Sequence, residues 1–375
     1  MDRPLWVIWS GAFAFFLSFF LLLSALPLYA RALGVSDSGI GVVVGCFAVA
    51  SMVLRPWAGW AADRFARRPL MFAGATLFTA ASLAYGVAGG AVGLALVRLL
   101  HGAGMGLYPT AASALVTDLA PPARRGEILG MLGAAASLAT AIGPLAGIAV
   151  VQHVGFGPLW ALAGAVAAVA LVLTFAVGEM DRPAVTPPFT LRATISRAAL
   201  FPSAIEFCSM LTYGALTSFL PLYAEASGVN PGVFFVFFAV VLTVFRAWGG
   251  QLSDRFGRPP VAAAGLGVMA AALLVLAASQ GVIGIVFAGA LYGVGFGAVQ
   301  PAVMAWCVDV TAPADRGRAM GTYYTSLELG IAIGAISSGL VVAALGFVTT
   351  FVIMAITALA GAGLALTRRA VPQGA

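Results

Sequence analysis

Long apolar runs separated by short polar breaks fill the chain from end to end. Twelve such runs stand near 5–29, 38–62, 69–88, 91–118, 127–151, 156–178, 200–223, 232–253, 260–279, 282–309, 319–343 and 347–367. Each is about the length needed to cross a bilayer as a helix, roughly 20 residues. The breaks between them are too short for a separate catalytic domain. The first run has no basic leader and no small-residue cleavage site, so it reads as a retained helix. The longest polar stretch, 179–199, is rich in Pro and Arg and reads as a linker, parts of it able to lie as a short helix on the membrane surface.

The pattern repeats. Arg55 to Pro69, RPWAGWAADRFARRP, returns 191 positions later as RAWGGQLSDRFGRPP, with eight of fifteen residues identical. Pro122, Arg125, Gly126, Gly130 and Gly143 match Pro313, Arg316, Gly317, Gly321 and Gly334 at the same offset, and Leu26-Pro-Leu-Tyr-Ala30 returns as Leu220-Pro-Leu-Tyr-Ala224. The expectation is an all-α membrane protein of twelve transmembrane helices in two pseudo-symmetric six-helix bundles, 1–178 and 200–375, joined by 179–199. Repeated halves of this kind let carriers expose one central site to each side of a membrane in turn.

Composition narrows the class further. Of 375 residues 62% are hydrophobic and 9% charged, with mean hydropathy +1.04, against about one quarter charged in soluble domains. A pI near 9.6 in a soluble chain would suggest nucleic acid, but here the charge follows the spans. All 19 basic residues are Arg. Fifteen lie at the ends or in the breaks after even-numbered runs, Arg31 alone lies on the opposite side, and Arg55, Arg98 and Arg246 lie inside runs. The positive-inside rule therefore places both termini in the cytoplasm, with no nucleic-acid partner. Cys46, Cys208 and Cys307 are dispersed among apolar runs, with neither metal-ligand nor disulfide spacing.

The repeated turn, Gly59-Trp-Ala-Ala-Asp63-Arg64-Phe-Ala-Arg67-Arg68 and Gly250-Gln-Leu-Ser-Asp254-Arg255-Phe-Gly-Arg258, resembles the signature of the major facilitator superfamily. Helix number, repeat, orientation and central linker agree with that resemblance over essentially the whole chain. Two positions depart from it: Ala66 stands where the family has Gly, and Pro259 where it has a basic residue. The resemblance implies a conformational latch at these turns. Physically, Gly59 and Gly250 would let helices slide past each other. Asp63 and Asp254 would accept hydrogen bonds from a helix N-terminus, and the arginines would pair with Asp118 and Asp309. The alternative is a solvated turn that only fixes topology.

Arg98-Leu-Leu-His101-Gly102 resembles the family's fourth-helix motif, which implies a part in proton transfer for Arg98. The alternative is a strut bonded to backbone carbonyls, since an Arg inside a span normally faces a partner or a cavity. His101 stands one turn along the same face and is the type of side chain that titrates near neutrality, though a packed core histidine explains it as well. Gly143-Pro144-Leu-Ala-Gly147 resembles the motif of the superfamily's antiporters, with Ala139 and Ile148 replacing glycines. Close helix packing through small residues is the other reading.

Two acids lie inside runs. Glu328 is ten residues past Arg318, about 15 Å along a helix and near the midplane. It is the candidate proton carrier, or the counter-ion of a cationic substrate. Glu206 is shallower, where a structural ion pair is an equal alternative. Aromatic residues on candidate cavity helices include Phe13 and Phe16, in a stripe with Trp9 and Phe20, and Tyr213, Tyr292 and Tyr324. A charge-poor aromatic cavity suits amphipathic solutes.

These readings converge on a non-enzymatic secondary transporter of the bacterial cytoplasmic membrane, working as a monomer and exporting small organic or amphipathic molecules in exchange for protons. A proton symporter importing a sugar, organic acid or other small metabolite is the runner-up, and a non-transporting receptor on the same scaffold is the third reading. No phosphate-binding GxxxxGK[ST] is present, so the proton gradient, with no cofactor, is the expected driving force.

Overall fold

A computed structural model describes residues 3–121, 125–178, 195–279, 281–312 and 315–368. Among them the regular structure is entirely helical. The helices are α1 (Arg3–Leu23), α2 (Ala25–Ala32), α3 (Asp37–Arg64), α4 (Arg67–Ala84), α5 (Gly90–Leu119), α6 (Arg125–Val154), α7 (Phe156–Phe175), α8 (Leu200–Ala226), α9 (Gly232–Phe256), α10 (Arg258–Ala278), α11 (Val282–Asp309) and α12 (Arg316–Leu366). The linker expected at 179–199 lies mostly outside the described residues.

Nine of these helices are long and apolar enough to cross a membrane, or ten if the arms of α9, bent by 46°, count as one span. Three details relate them to the twelve runs. The first run is split into α1 and α2. Pro27 offers no N–H to the carbonyl of Leu23, and α1 ends at Leu23; yet the matching Pro221 sits inside unbroken α8, so the proline alone does not set the break. The eighteen residues of α4 include Arg67 and Arg68, which dilute its apolar character. The last two runs are merged in α12, whose one non-helical residue is Gly346 at φ 79°.

Gly346 shows how faithfully the repeat is kept. Gly155, 191 positions earlier, has φ 87° and turns the chain between α6 and α7. Both lie, with ψ near 180°, in a region that is essentially open to glycine only and costs another residue about 1–3 kcal/mol. Helix contacts repeat at the same offset. A Cβ on Gly102 would strike the Phe47 carbonyl, and one on Gly293 the Phe238 carbonyl at 2.7 Å. Gly104 of α5 lies against Gly74 of α4, as Gly295 of α11 lies against Gly265 of α10. The sequence repeat is thus a repeat of backbone approach, which small residues permit between membrane helices.

Contacts divide the chain into two compact units. The first comprises Met1–Val35 with Cys46–Phe189, the second Ser36–Gly45 with Thr190–Ala375. In the first, α1 packs on α6 and α7, and α4 on α5 and α7. In the second, α8 packs on α12, and α10 on α11 and α12. The pairings correspond once α12 is read as two arms. The start of α3 clusters with the second unit.

Candidate functional site

The two Asp-Arg turns place opposite charges on adjoining helix ends. Nε of Arg67, first residue of α4, donates to Oδ2 of Asp118 near the end of α5 at 3.0 Å. Nε of Arg258, first residue of α10, donates to Oδ2 of Asp309 at the end of α11 at 2.9 Å. Each charge stands at the end of its own helix where the macrodipole disfavours it, by about 0.3–1 kcal/mol at an exposed site. Helix stability alone would select the reverse arrangement, so the pairs are tertiary devices. Arg64 lies beside the Trp60 and Phe65 rings and Arg255 beside Phe256. Arg68, with no counterpart in the second copy, donates to the carbonyls of Thr174 and Phe175 at 3.2 and 2.9 Å and caps α7.

Three expectations about these turns need correction or fall outside view. A Cβ on Gly59 or Gly250 would meet nothing within 4 Å, so neither glycine is required by a close helix contact in this conformation. Asp254 bonds the Arg258 guanidinium four residues on, rather than a helix N-terminus. The side chain of Asp63 lies outside the described residues. The departure at Ala66 has a structural explanation: Gly257 has φ 92° and ψ 154°, whereas Ala66 has φ −174° and ψ 156°. The first copy makes the turn with extended backbone, open to any residue.

Arg98 and His101 are brought together on α5, both buried. The Arg98 guanidinium carbon is 4.3 Å from the centroid of Phe47, a cation–π contact, and its Nε has no hydrogen-bond partner. Nδ1 of His101 is 3.1 Å from the Tyr85 hydroxyl, its Nε2 is unpartnered, and Phe19, Phe47 and Phe78 surround the ring. Among the described residues neither side chain makes the bond to a backbone carbonyl that the strut alternative for Arg98 calls for. Tyr85 and Phe47 are contributors that sequence reasoning missed. Tyr85 lies 16 residues from His101 and Phe47 lies 51 residues from Arg98, and no periodicity links such positions.

The α6 motif is used for packing. A Cβ on Gly143 would stand 2.5 Å from Cβ of Phe20, and one on Gly147 would strike the Leu21 carbonyl of α1. Pro144 lies inside the helix. Gly330 and Gly334 of α12 make the matching approach to Phe207, Met210 and Leu211 of α8 without a proline. Close approach is therefore independent of Pro144, which distinguishes only the first copy.

In the second unit, Glu206 on α8 is wholly buried. Its Oε1 accepts from the Tyr323 hydroxyl of α12 at 3.1 Å, while Oε2 has no partner. The alternative of an ion pair is not formed among the described residues: the nearby cation, Arg246, donates to Gln300 at 2.8 Å. Glu328 lies five residues beyond Tyr323 on the same arm of α12 and is 4% exposed.

Of the aromatic candidates, Tyr292 is the best fixed. Its hydroxyl is 2.7 Å from Thr212 Oγ1, and its ring joins Phe238 and Phe296 beside half-buried Tyr213. Phe13 stacks on Trp9, whose indole donates to Met131 O at 2.9 Å, and Phe16 packs on the same core. Tyr324 is 40% exposed, and its ring meets that of Tyr323 edge-on with centroids 5.2 Å apart.

The repeat offset shows what is particular to each half. Arg98 has Gly289 as its counterpart, Glu206 has Phe15, and Glu328 has Ser137. The intramembrane ionisable groups stand where the other half is neutral.

Comparison with known proteins follows this architecture. The family model for the Major Facilitator Superfamily matches residues 8–245 and 203–375. An uncharacterized MFS-type transporter of Methanocaldococcus jannaschii is 21% identical over 369 residues, 95% of each chain. The quinolone resistance protein NorA of Staphylococcus aureus is 26% identical over 144 residues, 38% of this chain and 37% of NorA. Among solved structures, the human organic anion transporter MFSD10 (TETRAN) superposes with TM-score 0.74 at 17% identity, over 97% of this chain and 100% of its own. A POT family transporter in complex with a thioalcohol-conjugated peptide superposes with TM-score 0.78 at 14% identity, over 97% and 96%.

Proposed function

The chain belongs to the major facilitator superfamily, a family of multi-pass membrane transporters, and on that footing we propose that it is a proton-coupled exporter of small organic or amphipathic molecules. It works by alternating access, as a monomer in a bacterial cytoplasmic membrane with both termini in the cytoplasm. The proton gradient drives it without a cofactor.

The observation that carries this reading is Glu328, a carboxyl 4% exposed on the arm of α12 packed against α8. An acid inside a span is expensive to insert and normally marks an ion or substrate pathway. In the proposed cycle Glu328 takes a proton from outside, the conformation changes, and the proton leaves to the cytoplasm as substrate binds. Each charge moved inward supplies about 2.3 kcal/mol per 100 mV. The direction is supported by the Gly143-Pro144-Gly147 segment and by the partial similarity to NorA. In the cycle the Arg67–Asp118 and Arg258–Asp309 pairs act as latches, closed in one state and open in the other. Gly59 and Gly250, uncrowded in this conformation, are then approached in another.

The test is transport in proteoliposomes preloaded with a panel of fluorescent organic solutes, with the outer medium acidified. The native protein is expected to release a solute faster under the gradient, and Glu328→Gln to lose the gradient's effect. Gradient-driven uptake from outside would replace export by symport. Unaltered coupling in Glu328→Gln would remove Glu328 from the mechanism.

A further inference from the structure

Arg98 holds a buried positive charge that no acid pairs among the described residues. Its side chain is 4% exposed. The groups facing it are the Phe47 ring, the Tyr85 hydroxyl, the His101 imidazole and the Cys46 thiol. None is a carboxylate, and Arg98 forms no ion pair among the described residues. Asp118, the acid of this unit whose pairing is described, is held by Arg67 at the far end of α5.

A guanidinium offers five N–H donors in a planar fork that matches a carboxylate. Here one face lies on Phe47, the Tyr85 hydroxyl takes a hydrogen bond from the guanidinium, and Nε is left without a partner. The ring face recovers only part of what the charge loses on leaving water. Buried charges are ordinarily paired. The adjoining wall is aromatic: Phe19 stacks on Phe47 with centroids 4.9 Å apart.

We propose that the missing negative charge arrives with the ligand, and that Arg98 anchors an organic anion, a carboxylate carried on an apolar body. A carboxylate oxygen takes the open Nε–H donor beside the guanidinium charge, and the body lies along Phe47 and Phe19. The assignment deepens the exporter reading and rests on it, by naming the chemical class of the exported solute. It also gives Arg98 a role distinct from passing protons: the guanidinium stays charged throughout and acts as the fixed counter-ion.

Three probes share one ring and differ in charge: benzoate, benzamide and benzamidinium. Each is titrated calorimetrically into the purified, full-length protein in lipid nanodiscs. Benzoate is expected to bind at least tenfold more tightly than benzamide, about 1.4 kcal/mol, and benzamidinium not at all. Arg98→Gln should abolish the preference for benzoate, and Arg98→Lys should keep only part of it. The proposal is overturned if benzamide or benzamidinium binds as tightly as benzoate to the native protein, a comparison that needs no variant to fold. It is equally overturned if folded Arg98→Gln keeps the preference. Gradient-driven efflux of other solutes with no recognition of benzoate would sink this inference and leave the exporter standing. Benzoate binding without gradient-driven movement of any solute would do the reverse.

Discussion

The Tyr323 hydroxyl donates to Oε1 of Glu206 at 3.1 Å, joining α12 to α8 across an interface otherwise made by Gly330, Gly334 and Gly214. Removing that hydroxyl takes a hydrogen bond from a wholly buried carboxyl whose Oε2 already has no partner. Tyr323→Phe is therefore expected to destabilise the protein by about 1–3 kcal/mol. Glu206→Gln retains an acceptor for Tyr323 and should cost less than Glu206→Ala. Thermal unfolding in detergent gives the order, and equal effects of Gln and Ala would show that the bond contributes nothing.

The paired charges at the Asp-Arg turns oppose their own helix dipoles. Exchanging them, Arg67→Asp with Asp118→Arg, keeps the pair and reverses both dipole terms. Each single change should reduce transport severalfold by leaving like charges together, and the double change should restore part of it. The dipole terms, about 0.3–1 kcal/mol each, then favour the double variant, whose fold should be no less stable than the native one. A double-mutant cycle on transport rate and on melting separates the latch from mere topology, which would show no coupling.

Glycine substitutions should split into two groups. Gly147→Ala pushes a methyl into the Leu21 carbonyl of α1, and Gly143→Ala into Phe20; overpacking of this kind costs about 1–3 kcal/mol. Gly59→Ala and Gly250→Ala have open space in this conformation and should leave melting unchanged or slightly raised, because Ala is the better helix former by about 1 kcal/mol. A loss of transport in the second group at full stability would reveal that those positions close up in another state of the cycle.

The two α-turns at 66 and 257 provide a control within one molecule. Gly257→Ala forces a side chain to φ 92°, ψ 154° and should cost about 1–3 kcal/mol. Ala66→Gly, at an extended residue, should cost less than 1 kcal/mol through unfolded-state entropy alone. Chemical denaturation or melting of the two variants under the same conditions compares them directly.

Much of the architecture was written in the chain because apolar run length and a 191-residue repeat are one-dimensional signals. The meeting of Arg67 with Asp118 and of Arg258 with Asp309 was legible for the same reason: loop charges at matched helix ends have few partners in reach. The interior was not. Tyr85 reads as an ordinary aromatic at a helix end, yet it holds His101. Phe47 is one apolar residue among many, yet its face carries Arg98. Glu206 suggested a cation and received a tyrosine, because the choice depends on how α12 rotates against α8 and not on spacing within either helix. The break at Leu23 and the continuity of α8 across Pro221 show that even a proline is read differently by different neighbours.

Gly102 and Gly293, Gly104 and Gly295, and Gly155 and Gly346 meet the same demands in both halves, so one backbone geometry carries two different sets of side chains. Each half is then a record of what its sibling can tolerate. Gly at 98, Phe at 206 and Ser at 328 are residues the twin frame already accommodates at the corresponding positions. Losses of transport after borrowing them would speak of chemistry rather than collapse, a reference that unduplicated proteins do not carry within themselves.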